Sequence, residues 1–335
     1  MKNLLYLGNK LSSKGLNVTT IDTLSKQIAD EGFAVVTSSS KKNQLLRLFD
    51  MLLSVIVNRK ADYVLIDTYS TSAFWYAFFT SQLCRLLKMK YLPILHGGNL
   101  PSRIESSPIP SKMIFKNAYI NVAPSEYLLF AFENKGYKNL IHIPNTIETE
   151  QYPFTLRKNI KPNLLWVRAF ASIYNPKMAV DVLYRLKQKF PEATLTMVGP
   201  DKDGSLIATE KYANSLHLNV NFTGRLSKKE WILLSSNCDV FINTTHFDNL
   251  PVSVIEAMCL GLPVVSTNVG GLPYLLNDGL TGLLVNPDDT NAMVKAIETL
   301  VTNTQLYTEL AQNAKEKAQS FDWQLVKNKW INILK

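Results

Sequence analysis

The chain has few residues of the kinds that form disulfide bonds or bind metal ions. Only 3 of its 335 residues are cysteines and only 4 are histidines. Cys84, Cys238 and Cys259 are scattered through apolar surroundings, without metal-ligand spacing and without the even number that a disulfide framework needs. We therefore expect three reduced, buried thiols, as in a cytosolic protein. No cluster of His and Asp suggests a metal site, so we expect no metal and no cofactor.

Long hydrophobic runs are also missing. The two most apolar stretches are MLLSVIV and AFWYAFF, and charged residues bound both, so neither approaches the roughly 18 residues of a membrane span. The apolar run in MKNLLYLGNK is too short for a signal peptide and is typical of a first strand. We expect a cytoplasmic protein that does not cross a membrane. Internal repeats and low-complexity segments are absent from the sequence as well.

The composition is that of a globular protein with a basic surface. Apolar residues make up 46% and charged residues 19% of the chain, and 335 residues suit two domains. There are 36 Lys and Arg against 27 Asp and Glu. The excess of basic residues is larger before Pro153, where there are 17 basic and 11 acidic residues. No zinc spacing or aromatic-interleaved basic cluster favours nucleic acid. A basic first half could face anionic lipid or an anionic acceptor, or could be an ordinary soluble surface.

The clearest pattern lies between residues 246 and 284, which read HFDNLPVSVIEAMCLGLPVVSTNVGGLPYLLNDGLTGLL. Apolar residues at helical spacing predict a helix from about Pro251 that ends at Gly261. The strand LPVVS follows, the glycine pair opens a second helix, and GLLV forms the next strand. We expect Asp248 and Asn249 to cap the first helix.

This stretch also has the features of a ligand site. Asp248 and Glu256 lie 8 residues apart, one before the helix and one in its second turn. Between them, the free N–H groups at the helix N-terminus form an anion site. A diphosphate flanked by two polyols would suit such an arrangement. The alternative is an ordinary α/β segment with a capped helix.

Here the chain resembles the retaining, family 4 type glycosyltransferases of GT-B fold. Their signature is Glu, seven residues and Glu, then A-x-x-x-G-x-P-V-V, GG-x-P and G-x-T-G-x-L-V. The sequence EAMCLGLPVVSTNVGGLPYLLNDGLTGLLV matches it nearly throughout, with Asp248 in place of the first Glu. The resemblance implies transfer of a hexosyl or N-acetylhexosaminyl group, with retention, from a UDP-sugar to a cell-surface polysaccharide, oligosaccharide or glycolipid. The nucleotide-sugar is then a substrate and no cofactor is involved.

The same resemblance implies an α/β fold of two Rossmann-like parallel-sheet domains that face each other across a cleft. We expect an acceptor-side domain over residues 1–153 and a nucleotide-sugar-binding domain over residues 154–319. A terminal helix over residues 320–335 would pack back on the first domain.

The resemblance also assigns roles to particular residues. Arg168 and Lys177 would bind the donor diphosphate, since a guanidinium pairs two phosphate oxygens at once; a surface ion pair is the alternative for Arg168. Glu256 would contact the ribose hydroxyls and Asp248 the donor sugar. Further donor contacts, mostly through backbone atoms, are expected at Gly199, Pro200, Arg225, Leu226, Asn249, Leu250, Pro251 and Val252.

Three features of the first half bear on function. His96 ends a predicted buried strand and precedes two glycines, and carboxyl ends of parallel strands face the ligand crevice, so His96 is a site candidate. Residues 41–60 predict one helix whose apolar residues could pack in a core or lie on an anionic membrane. A loop containing Gly8 and Gly15 leads into a helix from about Thr20, where glycine serves a strand-to-helix turn.

Two other functions fit the same architecture. Nucleotide-sugar 2-epimerases share it but would need acid and base carboxylates with His in the cleft. A catalytically silent sugar-nucleotide binder is permitted by Asp248, although Arg168 and Glu256 argue for catalysis.

Overall fold

A computed structural model describes residues 1–11 and 19–335 of the chain. It divides into two compact units, one made of Met1–Thr146 with Trp323–Lys335 and the other of Ile147–Asp322. From the sequence the boundary is expected at residue 153, whereas the two units meet in the chain between residues 146 and 147. Each unit is built on a six-stranded parallel sheet with helices around it, which confirms the expected α/β class.

The first unit alternates strands and helices. Its strands, within the described residues, are β1 (Asn3–Leu7), β2 (Ala34–Ser38), β3 (Tyr63–Thr68), β4 (Tyr91–Leu95), β5 (Asn121–Ala123) and β6 (Leu140–His142). Its helices are α1 (Thr20–Asp30), α2 (Gln44–Val57), α3 (Phe74–Leu86), α4 (Leu100–Ser106), α5 (Pro108–Phe115), α6 (Glu126–Asn134) and the last helix, α14 (Trp323–Leu334). The strand order is β2-β1-β3-β4-β5-β6, all parallel. The predicted helix from Thr20 is confirmed, while Gly15 lies outside the described residues.

The strand β1 shows how the first sheet divides its two faces. Leu5 and Leu7 belong to a core cluster that also contains residues of α2, α3 and α5. Leu4 and Tyr6 belong to a second cluster that contains α1 and the end of the chain, α14. This alternation is the two-residue period of a strand buried on both faces.

The helix predicted within residues 41–60 is present as α2, but it buries only part of the side that a core helix would bury. The apolar residues at helical spacing are Leu45, Leu48, Phe49, Leu52, Val55 and Ile56. Val55 is buried and Leu48 and Leu52 are half-buried, whereas Leu45, Phe49 and Ile56 are exposed. The helix instead packs inward through Arg47, Met51 and Val55, which are spaced at four residues. Apolar residues cover most of the circumference of α2, and Arg47, Asp50 and Ser54 lie on the remaining side, next to the side that is buried. The apolar side is wider than the contact with the core, so the sequence pattern does not determine which part of it is buried.

The second unit repeats the plan with a sheet of its own. Its strands, in the part that the structure describes, are β7 (Asn163–Val167), β8 (Thr194–Val198), β9 (Asn221–Gly224), β10 (Val240–Asn243), β11 (Val264–Thr267) and β12 (Leu283–Val285). Its helices are α7 (Pro176–Leu186), α8 (Ser205–Ser215), α9 (Lys228–Ser235), α10 (Val252–Cys259), α11 (Leu272–Leu275), α12 (Thr290–Thr302) and α13 (Thr304–Gln319). Short 3₁₀ turns cover Thr149–Gln151 and Ser172–Tyr174. The strand order is β12-β11-β10-β7-β8-β9.

The order of elements expected for residues 246–284 is confirmed. The helix α10, the strand β11, the helix α11 after the glycine pair and the strand β12 follow one another as predicted. All three cysteines are free and buried, and burial raises the pKa of each thiol to about 12. Among the helices that the structure describes, none combines the length and the apolar character that a membrane crossing requires.

Candidate active site

The carboxyl end of β7 places a guanidinium against a carboxylate. Arg168 directly follows the strand, and its Nη2 donates to Oδ2 of Asp248, in the loop before α10. Each of these side chains is only 15% exposed, so water screens the pair weakly. The two residues assigned to the diphosphate and to the donor sugar are therefore in direct contact within the second unit.

A tyrosine supports the guanidinium from one side. The central carbon of the Arg168 guanidinium lies 4.2 Å from the ring centre of Tyr174. Burial acts to raise the pKa of Tyr174, but the charge and hydrogen bond of Arg168, with Lys202 further away, lower it overall. Among the described residues the buried Nε of Arg168 has no hydrogen-bond partner. Arg168 thus retains a donor for a further acceptor, such as a phosphate oxygen.

The loop carrying Asp248 rests on the glycine pair of the sequence signature. Gly271 N–H donates to the Asp248 carbonyl at 2.9 Å. A Cβ on Gly270 would lie 2.0 Å from that carbonyl oxygen, and one on Gly271 would lie 1.7 Å from the Asn249 carbonyl oxygen. Any larger residue would displace the loop, because real Cβ atoms never approach so closely. The glycine pair is required here for close backbone approach.

The expectation that Asp248 caps α10 is wrong. The helix begins at Val252 with Pro251 as its N-cap residue, and that cap has no side-chain hydrogen bond. The Asp248 carboxylate is engaged by Arg168 and, through Oδ1, by the N–H of Asn249 at 2.8 Å. The N–H of Val254 donates to the Pro251 carbonyl at 3.1 Å, whereas those of Val252 and Ser253, the first two of α10, have no acceptor within the helix itself. The buried Oγ of Ser253, in the first turn, also lacks a partner within the described chain.

Glu256 lies in the second turn of α10 and is 6% exposed. Tyr152 Oη donates to its Oε1, and Lys228 Nζ lies 3.2 Å from the same oxygen. Burial raises the pKa of the Glu256 carboxyl above its ordinary value, although Lys228 and the Tyr152 hydrogen bond act to lower it. The Lys228 nitrogen also lies 5.3 Å from the Tyr152 ring centre. Glu256 is thus a restrained carboxylate with a cation beside it.

The predicted donor-binding loops surround the same edge of the second sheet. Gly199 N–H donates to the Gly224 carbonyl at 2.8 Å, and the Pro200 carbonyl accepts from Phe170 at 2.8 Å. Gly199 has φ +151°, and a Cβ there would lie 1.7 Å from the Arg168 carbonyl oxygen. The loop after β8 therefore packs directly on the backbone of Arg168, which only glycine permits.

The other predicted donor contacts differ in exposure. Arg225 is exposed at the end of β9, and Leu226 packs partly buried against the core below α10. Within the segment before α10, Asn249, Leu250 and Pro251 are buried and Val252 is half-buried. Their side chains are thus largely committed to packing, which leaves mainly backbone atoms for a ligand.

Lys177 does not join this cluster. It is exposed on α7, and its Nζ lies 5.7 Å from the ring centre of Tyr212 on α8. Within residues 1–11 and 19–335, no hydrogen bond or ion pair joins Lys177 to Arg168, Asp248 or Glu256. The lysine that the fold places beside a predicted site carboxylate, Glu256, is Lys228.

An Asp-x-Asp motif, a pattern that can hold a metal ion, occurs at Asp201 and Asp203, so the expectation of no metal-binding motif in the sequence is wrong at this point. Asp201 Oδ1 accepts from the N–H groups of Gly204 and Leu206. Hydrogen bonds from Ser205 and Ser172 lower the pKa of Asp203 to about 2. Both carboxylates hold the turn after β8. No group of His, Cys, Asp and Glu placed to hold a metal ion occurs in the described part of the chain.

In the first unit, His96 is part of a buried hydrogen-bonded cluster. It follows β4, and its Nε2 lies 2.8 Å from Oδ1 of Asp67 in β3, which also accepts from Tyr6 Oη at 2.9 Å. Tyr69 stacks on the imidazole at 5.4 Å. Because a carboxylate only accepts, Nε2 carries a proton, and in the neutral imidazole the lone pair is then on Nδ1. His96 can therefore accept a hydrogen bond from a hydroxyl group.

The other Asp67 oxygen is buried and has no hydrogen-bond partner among the described residues. It borders a small cavity lined also by Gly8 and Tyr69. A Cβ on Gly8 would lie 2.3 Å from this oxygen, so glycine is required beside it. Gly8 thus has a role in close packing.

Several site residues are not expected from the sequence. Lys228 lies two residues after the predicted Gly-Arg-Leu loop, and that proximity is the signal that could have found it. Asp67 is the next-to-last residue of β3, the strand beside β4, so the strand-end rule applied to His96 would have pointed to it too. Tyr152 lies in the expected linker, 104 residues from Glu256, and no local pattern marks it.

Together, the second-unit residues offer a site for an anionic, hydroxyl-rich ligand. Arg168 and the N-terminus of α10 can hold phosphate oxygens, while Asp248 and Glu256 can accept hydrogen bonds from hydroxyl groups at either end. Positive groups placed at a phosphate stabilise the charge that develops when it leaves.

Comparison with proteins of known sequence agrees with this chemistry. Glycogen synthase of Mycobacterium tuberculosis is 25% identical over 194 residues, which are 57% of this chain and 47% of that protein. An uncharacterised glycosyltransferase of Methanocaldococcus jannaschii is 25% identical over 263 residues, which are 74% of this chain and 70% of that protein. The chain spans about half the length of the mycobacterial relative.

Solved structures share the whole fold. HepE of Anabaena, in complex with UDP-glucose, has a TM-score of 0.82 at 17% identity, over 100% of this chain and 99% of its own. Sucrose-phosphate synthase of Thermosynechococcus elongatus has a TM-score of 0.81 at 16% identity, over 99% of this chain and 98% of that protein's chain. The architecture is therefore GT-B, with two Rossmann-like domains. The model of one family, glycosyl transferases group 1, matches residues 148–317, half of the chain. The chain belongs to the glycosyl transferases group 1 family.

Proposed function

We propose that this protein is a retaining glycosyltransferase that moves a sugar from a UDP-linked donor to a carbohydrate or lipid-linked acceptor. One observation carries the proposal: α10 has the Asp248 carboxylate in the loop before it, the Glu256 carboxylate in its second turn and the Arg168 guanidinium beside its N-terminus. The donor has the same order of groups, with a sugar, a diphosphate and a ribose. HepE of Anabaena, of the same fold, was crystallised with UDP-glucose, which supports a UDP-sugar.

In this arrangement the diphosphate lies at the N-terminus of α10. Arg168 donates to its oxygens through the free Nε, and the first N–H groups of the helix donate from the other side. Asp248 accepts from a hydroxyl of the donor sugar, and Glu256 accepts from the ribose hydroxyls. The Lys228 ammonium, 3.2 Å from Glu256 Oε1, acts against the rise in the Glu256 pKa that burial causes.

Retention is proposed from the family resemblance alone. In this arrangement Arg168 lies at the leaving diphosphate, where its charge stabilises developing negative charge without a metal ion. The departing phosphate, held by Arg168, can itself take the proton of the acceptor hydroxyl. His96, oriented by Asp67, is assigned to hold an acceptor hydroxyl group through Nδ1.

The acceptor class is proposed from the family's usual tasks and the basic character of residues 1–153. We assign it to polysaccharide, oligosaccharide or glycolipid assembly at the cytoplasmic face of a membrane, with residues 41–60 in peripheral contact with anionic lipid. The transferred group is a hexosyl or N-acetylhexosaminyl residue.

A panel of nucleotide-sugars tests the proposal. The protein is incubated with UDP-glucose, UDP-galactose, UDP-N-acetylglucosamine and GDP-mannose, and release of nucleoside diphosphate is followed with and without simple glycosides. Arg168→Ala serves as the inactive control. Transfer or slow hydrolysis of one UDP-sugar, with the anomeric configuration kept in the product by NMR, is expected. Epimerised donor without transfer would indicate the epimerase instead, and binding without any reaction would indicate a silent binder.

A further inference from the structure

The first unit exposes an apolar surface that its own fold leaves unused. We call it the α2–α3 surface and define it by Leu45, Phe49, Leu53 and Val57 of α2 with Trp75 and Phe79 of α3. The α2 residues recur every four positions, so they form a line along one side of the helix. Phe49, Leu53 and Val57 are 67%, 59% and 71% exposed.

The two helices present these residues on one outer layer. Met51 and Val55 of α2 share a core cluster with Phe74 and Ala77 of α3, so both helices pack on the same face of the first sheet. Their opposite sides therefore point away from that sheet together. Isolated exposed apolar residues are ordinary, but a continuous group of this kind marks an interaction surface.

The outer side of α2 also lacks charge. Arg47 and Asp50 are the charged residues within its sequence. Arg47 is 8% exposed and donates to the carbonyls of Lys41 and Lys42, and Asp50 accepts from Ser38 Oγ at 3.2 Å. Both charged groups are therefore engaged beside the core. A surface helix in contact with water normally carries charges on its outer side, and α2 does not.

Basic residues stand at both ends of this apolar line. Lys41 and Lys42 precede α2, Arg59 and Lys60 follow it, and all four are exposed. Fourteen helical residues span about 21 Å, so the two pairs are separated by the length of the helix. An apolar strip flanked by cations suits the boundary between acyl chains and anionic headgroups.

The charge pattern also argues against a second copy of this chain as the occupant. A symmetric pair of antiparallel α2 helices would bring Lys41 and Lys42 of one copy against Arg59 and Lys60 of the other. Like charges brought together in this way repel. A bilayer rich in anionic lipid meets the same four cations with opposite charge.

We propose that the α2–α3 surface docks the first unit on an anionic phospholipid bilayer, with α2 lying in the headgroup boundary. This extends the contact proposed above for residues 41–60 by adding Trp75 and Phe79 of α3. The docking does not depend on sugar transfer, since vesicle binding is measured without any donor.

Sedimentation with vesicles tests the docking, using vesicles of phosphatidylcholine alone and vesicles of phosphatidylcholine mixed with phosphatidylglycerol. The full chain should bind the mixed vesicles and bind the neutral ones weakly, with binding that decreases as salt increases. The triple variant Phe49→Ser, Leu53→Ser and Val57→Ser should lose at least about tenfold in partitioning. Replacing the four flanking cations by Gln should lower binding to the mixed vesicles by about fivefold per charge.

A matched control uses apolar residues of similar exposure elsewhere. Ile207, Leu233 and Leu325 are 55%, 75% and 63% exposed, and changing all three to Ser should leave vesicle binding unchanged. Thermal unfolding should be unaltered in both triple variants, because none of these side chains is buried. Wild-type protein that ignores both kinds of vesicle would overturn the proposal. Vesicle binding by the α2 triple variant that equals wild-type binding would also overturn it. A wild-type dimer in solution that this variant abolishes would do the same.

Discussion

Replacing Glu256 by Gln separates the stability of the second unit from its function. Glu256 is nearly buried, with Tyr152 and Lys228 as its neighbours. Gln has the same size and its carbonyl oxygen can still accept from Tyr152 Oη. The change therefore removes the charge and leaves the packing intact.

At neutral pH this charge opposes folding. Burial raises the pKa of Glu256 above its ordinary 4.5, and the neighbouring Lys228 and Tyr152 reverse only part of that rise. The folded protein therefore binds the proton more readily than the unfolded chain. This contribution to stability is complete below pH 4.5 and is lost as pH rises through the raised pKa. Glu256→Gln should consequently be as stable as the wild type at pH 7, or more stable.

The same replacement should weaken the enzyme. A hydrogen bond to a charged acceptor contributes about 1.5–3 kcal/mol, against about 1 kcal/mol for a neutral one. A loss of about 1–2 kcal/mol at the ribose corresponds to a kcat/KM that is about 5- to 30-fold lower for the UDP-sugar. Urea unfolding at pH 7 and at pH 4, together with initial rates, measures both effects.

Glu230→Gln provides a control in which removal of the charge is expected to lower stability at pH 7 instead of preserving or raising it. Glu230 is exposed, and hydrogen bonds from Ser227 lower its pKa, so its charge favours folding. That variant should lose some stability at pH 7 and keep its activity. An unfolding free energy for Glu256→Gln more than about 1 kcal/mol below wild type at pH 7 would refute the reasoning about its burial. Unchanged kcat/KM would refute its role at the ribose.

Four further predictions concern Arg168, Asp248, the absence of a metal requirement and Asp67. Arg168→Ala should lower kcat by a few hundredfold, about 3 kcal/mol, with the fold retained by circular dichroism; wild-type turnover would exclude Arg168 from the diphosphate site. Asp248→Asn should weaken UDP-sugar binding tenfold or more, yet leave UDP binding in calorimetry equal or tighter because Arg168 is released; equal affinity for both ligands would leave Asp248 without a sugar contact. Activity should survive EDTA, since cationic side chains serve the diphosphate; complete loss that manganese or magnesium restores would contradict this. Asp67→Asn should raise KM for the acceptor more than KM for the donor, because His96 loses its orientation; an effect on the donor alone would contradict that role.

Much of the fold is already present in local sequence patterns. The spacing of apolar residues and the glycines between residues 246 and 284 specify α10, β11, α11 and β12 in order, because helix and strand periods are local properties. The strand ends that carry Arg168 and His96 are visible in the same way, since each polar residue follows a buried run.

The partners of these residues were decided by tertiary structure. Tyr152 meets Glu256 across 104 residues and Arg168 meets Asp248 across 80, so no local window contains either pair. The function of the glycine pair at residues 270 and 271 is likewise visible only once the Asp248 loop lies against it.

The helix α2 shows the limit of what its own sequence determines. Residues 41–60 alone specify a helix with basic ends, because its apolar residues and capping Asn43 are local. They do not specify its buried side, because the apolar side of the helix is wider than its contact with the core. Only packing against the first sheet and α3 selected Met51 and Val55 for the core and left Phe49, Leu53 and Val57 facing out. A helix with a narrow apolar side can be buried in only one rotation about its axis. When the apolar side is wider, several rotations bury apolar residues, and contacts with the neighbouring elements decide among them.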